Sequence, residues 1–164
     1  MVLPRHDRVV FTLFGLFTIV WLCAVFIWDL PLLSLLRTVG LDGDNAQYDS
    51  AAISLLKHGV YSLDGVHPFF EREMGYSVFL AFVYAIVGVH NFVALFAVQT
   101  VIFLCSVYFF VASLRSYFSP RIQRGFVLLL LFLPSVLLMN VQILRESLAC
   151  SLLLIASGLF MRLQ

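Results

Sequence analysis

The chain has 164 residues, of which 62% are hydrophobic, and its formal net charge at pH 7 is only +1. A mean hydropathy of +1.03 argues against a water-soluble domain, because such a composition would leave large apolar patches in water. The near-zero charge gives no basic field for nucleic acid, so no nucleic-acid partner is expected. At roughly 20 residues for each membrane helix, the length allows three to five spans.

The first predicted element is a transmembrane helix over residues 9–28, an apolar run without a charge that follows Arg5 and Arg8. The run is about twice as long as the apolar part of a usual signal peptide, and a small-x-small cleavage site is missing. We therefore expect a retained helix. Arg5 and Arg8 place its start in the cytoplasm, since positive residues flank membrane helices on that side.

Residues 29–90 form the long polar interruption of the sequence and are predicted to lie outside the membrane. Within them, residues 44–58 have the pattern of an amphipathic helix, with Asp42 or Asp44 as N-cap and Gly59 as the C-terminal stop. This helix is too short and too polar to span a bilayer. We expect it to lie at the membrane surface.

A second surface helix is predicted over residues 74–88, followed by three spans over residues 91–114, 125–144 and 147–163. The 15 residues of the surface helix rise only about 22 Å, which is short of a hydrocarbon core of roughly 30 Å. The sequence therefore predicts an all-α polytopic membrane protein with four transmembrane helices and two juxtamembrane helices in the first outer loop.

The topology depends on whether residues 74–88 cross the membrane. If they do, Arg115, Arg121 and Arg124 lie outside, and Glu146 lies on the side opposite the acidic loop. If they do not, these arginines lie inside with Arg162, and Glu146 joins the loop on the outer side. The charge bias favours the second arrangement.

The acidic residues are concentrated at this loop, which holds or adjoins seven of the nine: Asp29, Asp42, Asp44, Asp49, Asp64, Glu71 and Glu73. Asp42 and Asp44 place paired carboxylates where a turn meets a helix start. Such a pair could bind a divalent cation, since hard ions prefer oxygen ligands, or one carboxylate could act as general base towards an acceptor hydroxyl. The same Asp-Gly-Asp is also an ordinary turn with a helix cap, and the three interpretations stay open.

Ordered motifs follow one another along the loop: Asp44-x-x-x-Tyr48-x-x-x-Ala52, Leu55-Leu56, Gly59-x-Tyr61-Ser62 and Arg72-x-x-Gly75-Tyr76-x-x-Phe79-Leu80-Ala81. Glu146 follows at a later outer turn. In this order they resemble the N-terminal part of GT-C glycosyltransferases of the protein mannosyltransferase and aminoarabinose transferase type. Those polytopic enzymes use polyprenyl-phosphate sugars at the outer membrane face. The resemblance implies either a truncated GT-C-like module or a module whose remaining helices come from a second chain.

The resemblance also implies roles for individual residues. Asp44 would be the catalytic base, and Arg72 would face the donor phosphate, for which its bidentate fork is suited. The remaining substrate contacts implied are Tyr48, Glu71, Glu73, Tyr76 and Glu146. Asp42 and Asp44 would be the ligands if a divalent cation is used.

Two departures from the family pattern stand out. The Pro-Gly-Tyr-Pro of the family is here Met74-Gly75-Tyr76-Ser77, which loosens the rigid start of the second surface helix. Asn45 stands where a second acidic residue is frequent, which weakens a two-carboxylate metal site.

The resemblance thus implies a hexosyl- or pentosyltransferase in the cytoplasmic (inner) membrane of a bacterium, acting on a polyprenyl-phosphate sugar held beside the bilayer. The alternative is a non-catalytic small membrane partner, or remnant, of such an enzyme. A transport or channel component is disfavoured, because the predicted spans carry no charge in their middle.

Overall fold

The computed structural model describes residues 9, 12–20, 43–133, 140, 143 and 145–164. Residues 12–20 are helical, and the described part continues with five helices: α1 (Asp44–His58), α2 (Met74–Val87), α3 (Phe92–Ser113), α4 (Pro120–Phe132) and α5 (Arg145–Leu163). Among these residues the only strand-like feature is an isolated bridge between Ser62 and Pro68. The predicted all-α class is confirmed for the described residues.

Helix α1 has the bounds that its sequence pattern predicts, but its N-terminus is built differently. Gly43 is the N-cap, with φ 62°, and its carbonyl oxygen accepts from the backbone N–H of Gln47 at 3.3 Å. Because this backbone conformation suits glycine, Asp44 becomes the first helical residue. The predicted cap by Asp44 is therefore wrong, and Asp42 lies outside the described residues. At the other end Gly59 stops the helix in the left-handed conformation, as predicted.

The buried face of α1 carries polar as well as apolar side chains. Tyr48 and Ala52 are buried, Asp49 and Ser54 are buried with them, and Leu56 is exposed. The reason is that neighbouring groups supply hydrogen bonds. The Ser54 hydroxyl, for example, donates to the carbonyl of Val60 at 2.7 Å.

Helix α2 packs across α1 and ends at Val87, followed by Gly88 with φ 92°. The rings of Tyr48 and Tyr76 meet edge to face with centroids 5.2 Å apart, and the Ser77 hydroxyl donates to the carbonyl of Tyr48 at 3.1 Å. The two surface helices predicted from the sequence therefore form one packed unit.

Helices α3 and α5 make the most extensive contact among the described elements and run in the same direction. Gly158 lies directly against Phe109, where a Cβ would come within 2.8 Å of the ring. Near their C-terminal ends, Arg162 Nε donates to the Ser113 hydroxyl at 2.9 Å.

Two of the described helices are long and apolar enough to cross a membrane: Phe92–Ser116, which is α3 with its short 3₁₀ extension, and Arg145–Leu163. The 22 residues of α3 alone rise about 33 Å. Large apolar side chains such as Val101, Leu153 and Phe160 point outward from these helices. Their outer surfaces therefore suit an apolar surrounding better than water.

The helix predicted over residues 125–144 is different in the structure. Helix α4 begins earlier, at Pro120, and ends at Phe132, where Leu133 is extended with φ −67° and ψ 123°. Leu133 precedes Pro134, and a residue before proline is pushed out of the helical region, so an unbroken helix to residue 144 is wrong. Pro120 suits the first helical position, where a missing N–H costs nothing.

The first predicted span, residues 9–28, is described at residues 9 and 12–20, which are helical. There Phe14 and Tyr108 meet edge to face at 6.3 Å, and Phe17 meets Phe132 at 6.2 Å. This segment therefore packs on α3 and α4. The rest of that predicted span lies outside the described residues.

Candidate functional site

Charged side chains from three distant segments meet at one end of the molecule: the first turn of α1, the residues before α2 and the first turn of α5. Asp44 Oδ1 and Arg72 Nη2 form an ion pair, and Arg72 Nε donates to Gln47 Oε1 at 2.8 Å. The Tyr61 hydroxyl donates to the backbone carbonyl of Arg72 at 3.1 Å. The Arg72 guanidinium is thus held on two sides by the first turn of α1, while both charged side chains stay partly exposed.

A second ion pair joins the loop to α5. Glu73 Oε1 pairs with Arg145 Nη1, and Arg145 Nε lies 3.7 Å from Glu146 Oε1. The Tyr48 hydroxyl reaches the other oxygen of the same carboxylate, donating to Glu73 Oε2 at 3.2 Å. We call Asp44, Arg72, Glu73, Arg145 and Glu146 the charged cluster.

The surroundings set the protonation of two groups at this cluster. The pKa of Glu73 is lowered, first by a hydrogen bond from its own backbone N–H and then by the one from Arg145. The pKa of the Tyr48 hydroxyl is raised, first by its burial and then by its hydrogen bond to Glu73. At neutral pH Tyr48 is therefore a neutral donor beneath an ionised Glu73.

The residues predicted from the sequence have different places in the structure. The structure brings Asp44, Arg72, Glu73 and Glu146 together in the charged cluster. Tyr48 lies directly beneath this cluster.

Tyr76 lies deeper than the cluster. Its side chain is buried, and its hydroxyl donates to Gln99 Oε1 at 2.8 Å. It supports the ring of Tyr48 and does not face the surface.

Glu71 is exposed, and it makes no ion pair or hydrogen bond within the described part of the chain. Glu73, two residues further along the chain, takes the position next to Arg145.

The predicted divalent-cation site on Asp42 and Asp44 stays a prediction. Asp42 is outside the described residues, and the Asp44 carboxylate is paired with Arg72. Among the residues that the structure describes, no three His, Cys, Asp or Glu side chains come together as metal ligands.

A buried acid, Asp49, was not identified from the sequence. Its Oδ1 accepts from the Tyr84 hydroxyl at 2.6 Å, and its Oδ2 lies 2.9 Å from His90 Nε2. His90 has φ 61°, which is uncommon for a residue other than glycine, and the contact with Asp49 helps to hold it. The available signal was the position of Asp49 three residues before Ala52 on the apolar face of α1.

Gln47 and Arg145 were missed as well. Gln47 lies three residues after Asp44, so the two share a face of α1, and Arg145 directly precedes the predicted Glu146. The spacing in α1 could have indicated the first of these. Nothing local indicates that Arg145 meets Glu73.

The charged cluster offers three carboxylates and two guanidinium groups, and Tyr48 beneath it adds a buried phenol hydroxyl. This set can accept a proton through an exposed carboxylate and bind an anion through arginine N–H groups. No family model, curated protein or solved structure matches this chain.

Proposed function

We propose that this chain works as a membrane glycosyltransferase, which moves a sugar from a polyprenyl-phosphate donor to an acceptor hydroxyl at the outer membrane face. The observation that carries the proposal is the direct contact between Asp44 and Arg72, which are 28 residues apart. The resemblance assigns the base to one of them and the donor phosphate to the other. Displacement at the anomeric carbon needs both at one reacting centre.

Asp44 serves as the base in this proposal. Its carboxylate is partly exposed and takes the proton of the acceptor hydroxyl as that oxygen attacks the anomeric carbon. Pairing with Arg72 holds the Asp44 carboxylate in position. A single displacement with one base inverts the configuration at the anomeric carbon.

Arg72 binds the leaving phosphate in this proposal. Gln47 and Asp44 occupy its Nε and Nη2, so the N–H groups of Nη1 remain for phosphate oxygens. Charge that develops on the phosphate as the glycosidic bond breaks is then stabilised by a guanidinium already held in place. Arg145, paired with Glu73, adds a second positive charge at the same end.

We further propose four membrane spans, with the charged cluster outside. The pair between Glu73 and Arg145 supports placing the start of α5 on the side of the loop. Both ends of α2 reach neighbouring residues of α1, through Glu73 to Tyr48 and through Tyr84 to Asp49. These two contacts support an α2 that lies beside α1 at the membrane surface and does not cross the bilayer.

The opposite end of the molecule carries the arginines of α4 and α5 and of the connection between α3 and α4. By the positive-inside tendency this end is cytoplasmic, and so is the N-terminus of the first span. The setting that the resemblance implies is the cytoplasmic membrane of a bacterium.

Sugar transfer tests the proposal. Membranes with the natural chain, with Asp44→Asn or with Lys57→Gln would be given a panel of radiolabelled polyprenyl-phosphate sugars. We expect transfer by the natural chain and by Lys57→Gln, whose exposed side chain lies on the same helix. We expect a loss of at least about 100-fold in Asp44→Asn, as is typical for removal of a general base.

Two outcomes contradict the proposal. Full transfer by Asp44→Asn would remove Asp44 from the chemistry. Absence of transfer from a folded natural chain would favour the alternative, a non-catalytic membrane partner. In that case the pairs of Arg72 with Asp44 and of Arg145 with Glu73 serve only to tie the loop to α1 and α5.

A further inference from the structure

Three helices begin at the charged cluster. Asp44 is the first residue of α1, Glu73 is the N-cap of α2, and Arg145 is the first residue of α5. The first N–H groups of a helix give its N-terminus about half a positive charge. The carboxylates of the cluster exceed its guanidinium groups by one charge, and the three helix N-termini together offset this difference. The cluster can therefore accept an anion in spite of its carboxylates.

Both guanidinium groups of the cluster lie close to the Tyr48 hydroxyl. This hydroxyl donates to Glu73 Oε2 at 3.2 Å, while Glu73 Oε1 pairs with Arg145. Burial and the hydrogen bond to Glu73 raise the pKa of Tyr48, and the positive charges of Arg145 and Arg72 act on it in the opposite direction. A ligand beside this hydroxyl is therefore within the field of both arginines.

Each guanidinium group keeps N–H groups for a ligand. Arg72 retains those of Nη1, because its Nε and Nη2 are engaged by side chains of α1. Arg145 uses Nη1 for Glu73, and its Nε lies 3.7 Å from Glu146 Oε1, which is beyond hydrogen-bond distance. Its Nη2 has no hydrogen bond to any described residue. Both arginine side chains are partly exposed, so a ligand can reach them.

The proposed sugar transfer changes the charge of the phosphate. The donor is a phosphodiester with one negative charge. As the acceptor oxygen bonds to the anomeric carbon, the bond from that carbon to the phosphate oxygen breaks, and its electron pair stays on the phosphate. The proton of the acceptor goes to Asp44. The product is a phosphomonoester, whose charge at pH 7 is about −1.5 to −2.

We propose that Arg145 holds the phosphate together with Arg72, and that the released polyprenyl phosphate binds this pair more tightly than the donor does. Attraction to two positive charges grows with the charge of the ligand, so the product gains more from the pair than the donor. The released polyprenyl phosphate then inhibits the enzyme by occupying the donor site. The inference rests on the proposed function, in which the donor phosphate lies at Arg72.

Equilibrium binding without sugar transfer tests the inference. The probes are a polyprenyl phosphate and its methyl phosphodiester, which have the same lipid chain and differ in charge. Their binding to the full chain in a neutral detergent is measured by native mass spectrometry. We expect the monoester to bind about tenfold more tightly, at the lower end of what one charge-assisted hydrogen bond contributes. Arg145→Gln should lower this preference at least about threefold, and Arg145→Lys should retain part of it.

A second variant tests the same charges in the opposite direction. Glu146→Gln removes the carboxylate that lies 3.7 Å from Arg145 Nε and keeps both arginines. It should strengthen binding of the monoester about threefold, in the range of an exposed ion pair, and binding of the diester less. Lys57→Gln is the matched control, because it removes an exposed positive charge near the other end of α1. It should leave the binding of both probes unchanged.

Equal affinity of the natural chain for the two probes would overturn the inference, and so would an unchanged preference in a folded Arg145→Gln variant. Circular dichroism shows whether that variant is folded. If it is not, Glu146→Gln decides, and unchanged monoester binding there contradicts the inference. Absence of binding of both probes would overturn the inference together with the donor site. Preferential binding of the monoester without any sugar transfer would overturn the proposed function alone.

Discussion

At the residue scale, Asp49 shows how partners far along the chain define a role. Its neighbours on α1 suggest a side chain beside the apolar face and nothing more. Its hydrogen-bond partners, Tyr84 and His90, are 35 and 41 residues away. These hydrogen bonds offset the cost of burying the Asp49 carboxylate. They also connect α1 to the end of α2 and to the start of α3.

We predict that Asp49→Ala lowers the free energy of unfolding by about 1–3 kcal/mol, because the buried Tyr84 hydroxyl loses its acceptor. Adding Tyr84→Phe removes the unsatisfied hydroxyl, so the double variant should cost less than the sum of the single ones. Denaturant unfolding in detergent micelles measures all three. Strictly additive costs would show that the two side chains do not depend on each other.

Asp44 is not the N-cap of α1, and Glu71 does not join the charged cluster. Both differences from the sequence-based expectation have local causes. Gly43 takes the capping position because its positive φ suits glycine, and this leaves Asp44 available to Arg72. Glu71 and Glu73 are equivalent by composition. Only the path of the chain before α2 brings Glu73 to Arg145.

At the element scale, the pair between Glu73 and Arg145 connects the loop to α5. It crosses 72 residues of sequence, and Tyr48 attaches α1 to the same carboxylate. Three elements therefore share one ionised group. The stability of this end of the molecule should therefore depend on the charge of the Glu73 carboxylate.

We predict that stability falls on acidification below about pH 4, the ordinary range of a glutamate. The pKa of Glu73 is lowered in the folded chain, so its contribution is present above the unfolded pKa and is lost as the pH falls through the folded one. Glu73→Gln should flatten this dependence, and Glu71→Gln should not. Thermal unfolding between pH 3 and pH 7 measures it.

Part of the dependence of stability on pH should remain in the Glu73→Gln variant. The pKa of Asp64 is also lowered, first by the hydrogen bond from the His67 side chain and then by backbone N–H groups. An equal flattening in Glu71→Gln would contradict the assignment of the slope to the pair with Arg145.

The helix ends differ in how far the sequence determines them. Gly59 after α1 and Pro120 at the start of α4 act through their own backbone, so α1 was predicted to the residue and the start of α4 could have been read from Pro120. Leu133 is extended before a proline, a signal also present in the sequence, yet the apolar run around it favoured a continuous helix.

At the scale of the whole molecule, the charges are separated between two ends. The charged cluster lies at the N-terminal ends of α1 and α5, and the arginines lie where α3 and α5 end. The proposed topology assigns these ends to opposite sides of the membrane.

We predict that Val66→Cys and Ser116→Cys react from opposite sides, in a background with the natural cysteines replaced. Both positions are exposed, Val66 in the loop and Ser116 after α3. A membrane-impermeant maleimide added to intact cells should label only the loop cysteine, and permeabilised cells should show both. Labelling of both in intact cells would mean that α2 crosses the bilayer, which contradicts the proposed topology.

The sequence by itself determined the helical class, the bounds of α1, the existence of long apolar helices and the uneven distribution of charge. These features follow from interactions between near neighbours: side-chain spacing, glycine and proline backbone preferences, and apolar length. Only the tertiary structure decided that Arg72 meets Asp44, that Arg145 meets Glu73 and that Asp49 is buried. Those pairings depend on the path of the whole chain, because a charged side chain has many candidate partners and only packing brings one of them within reach.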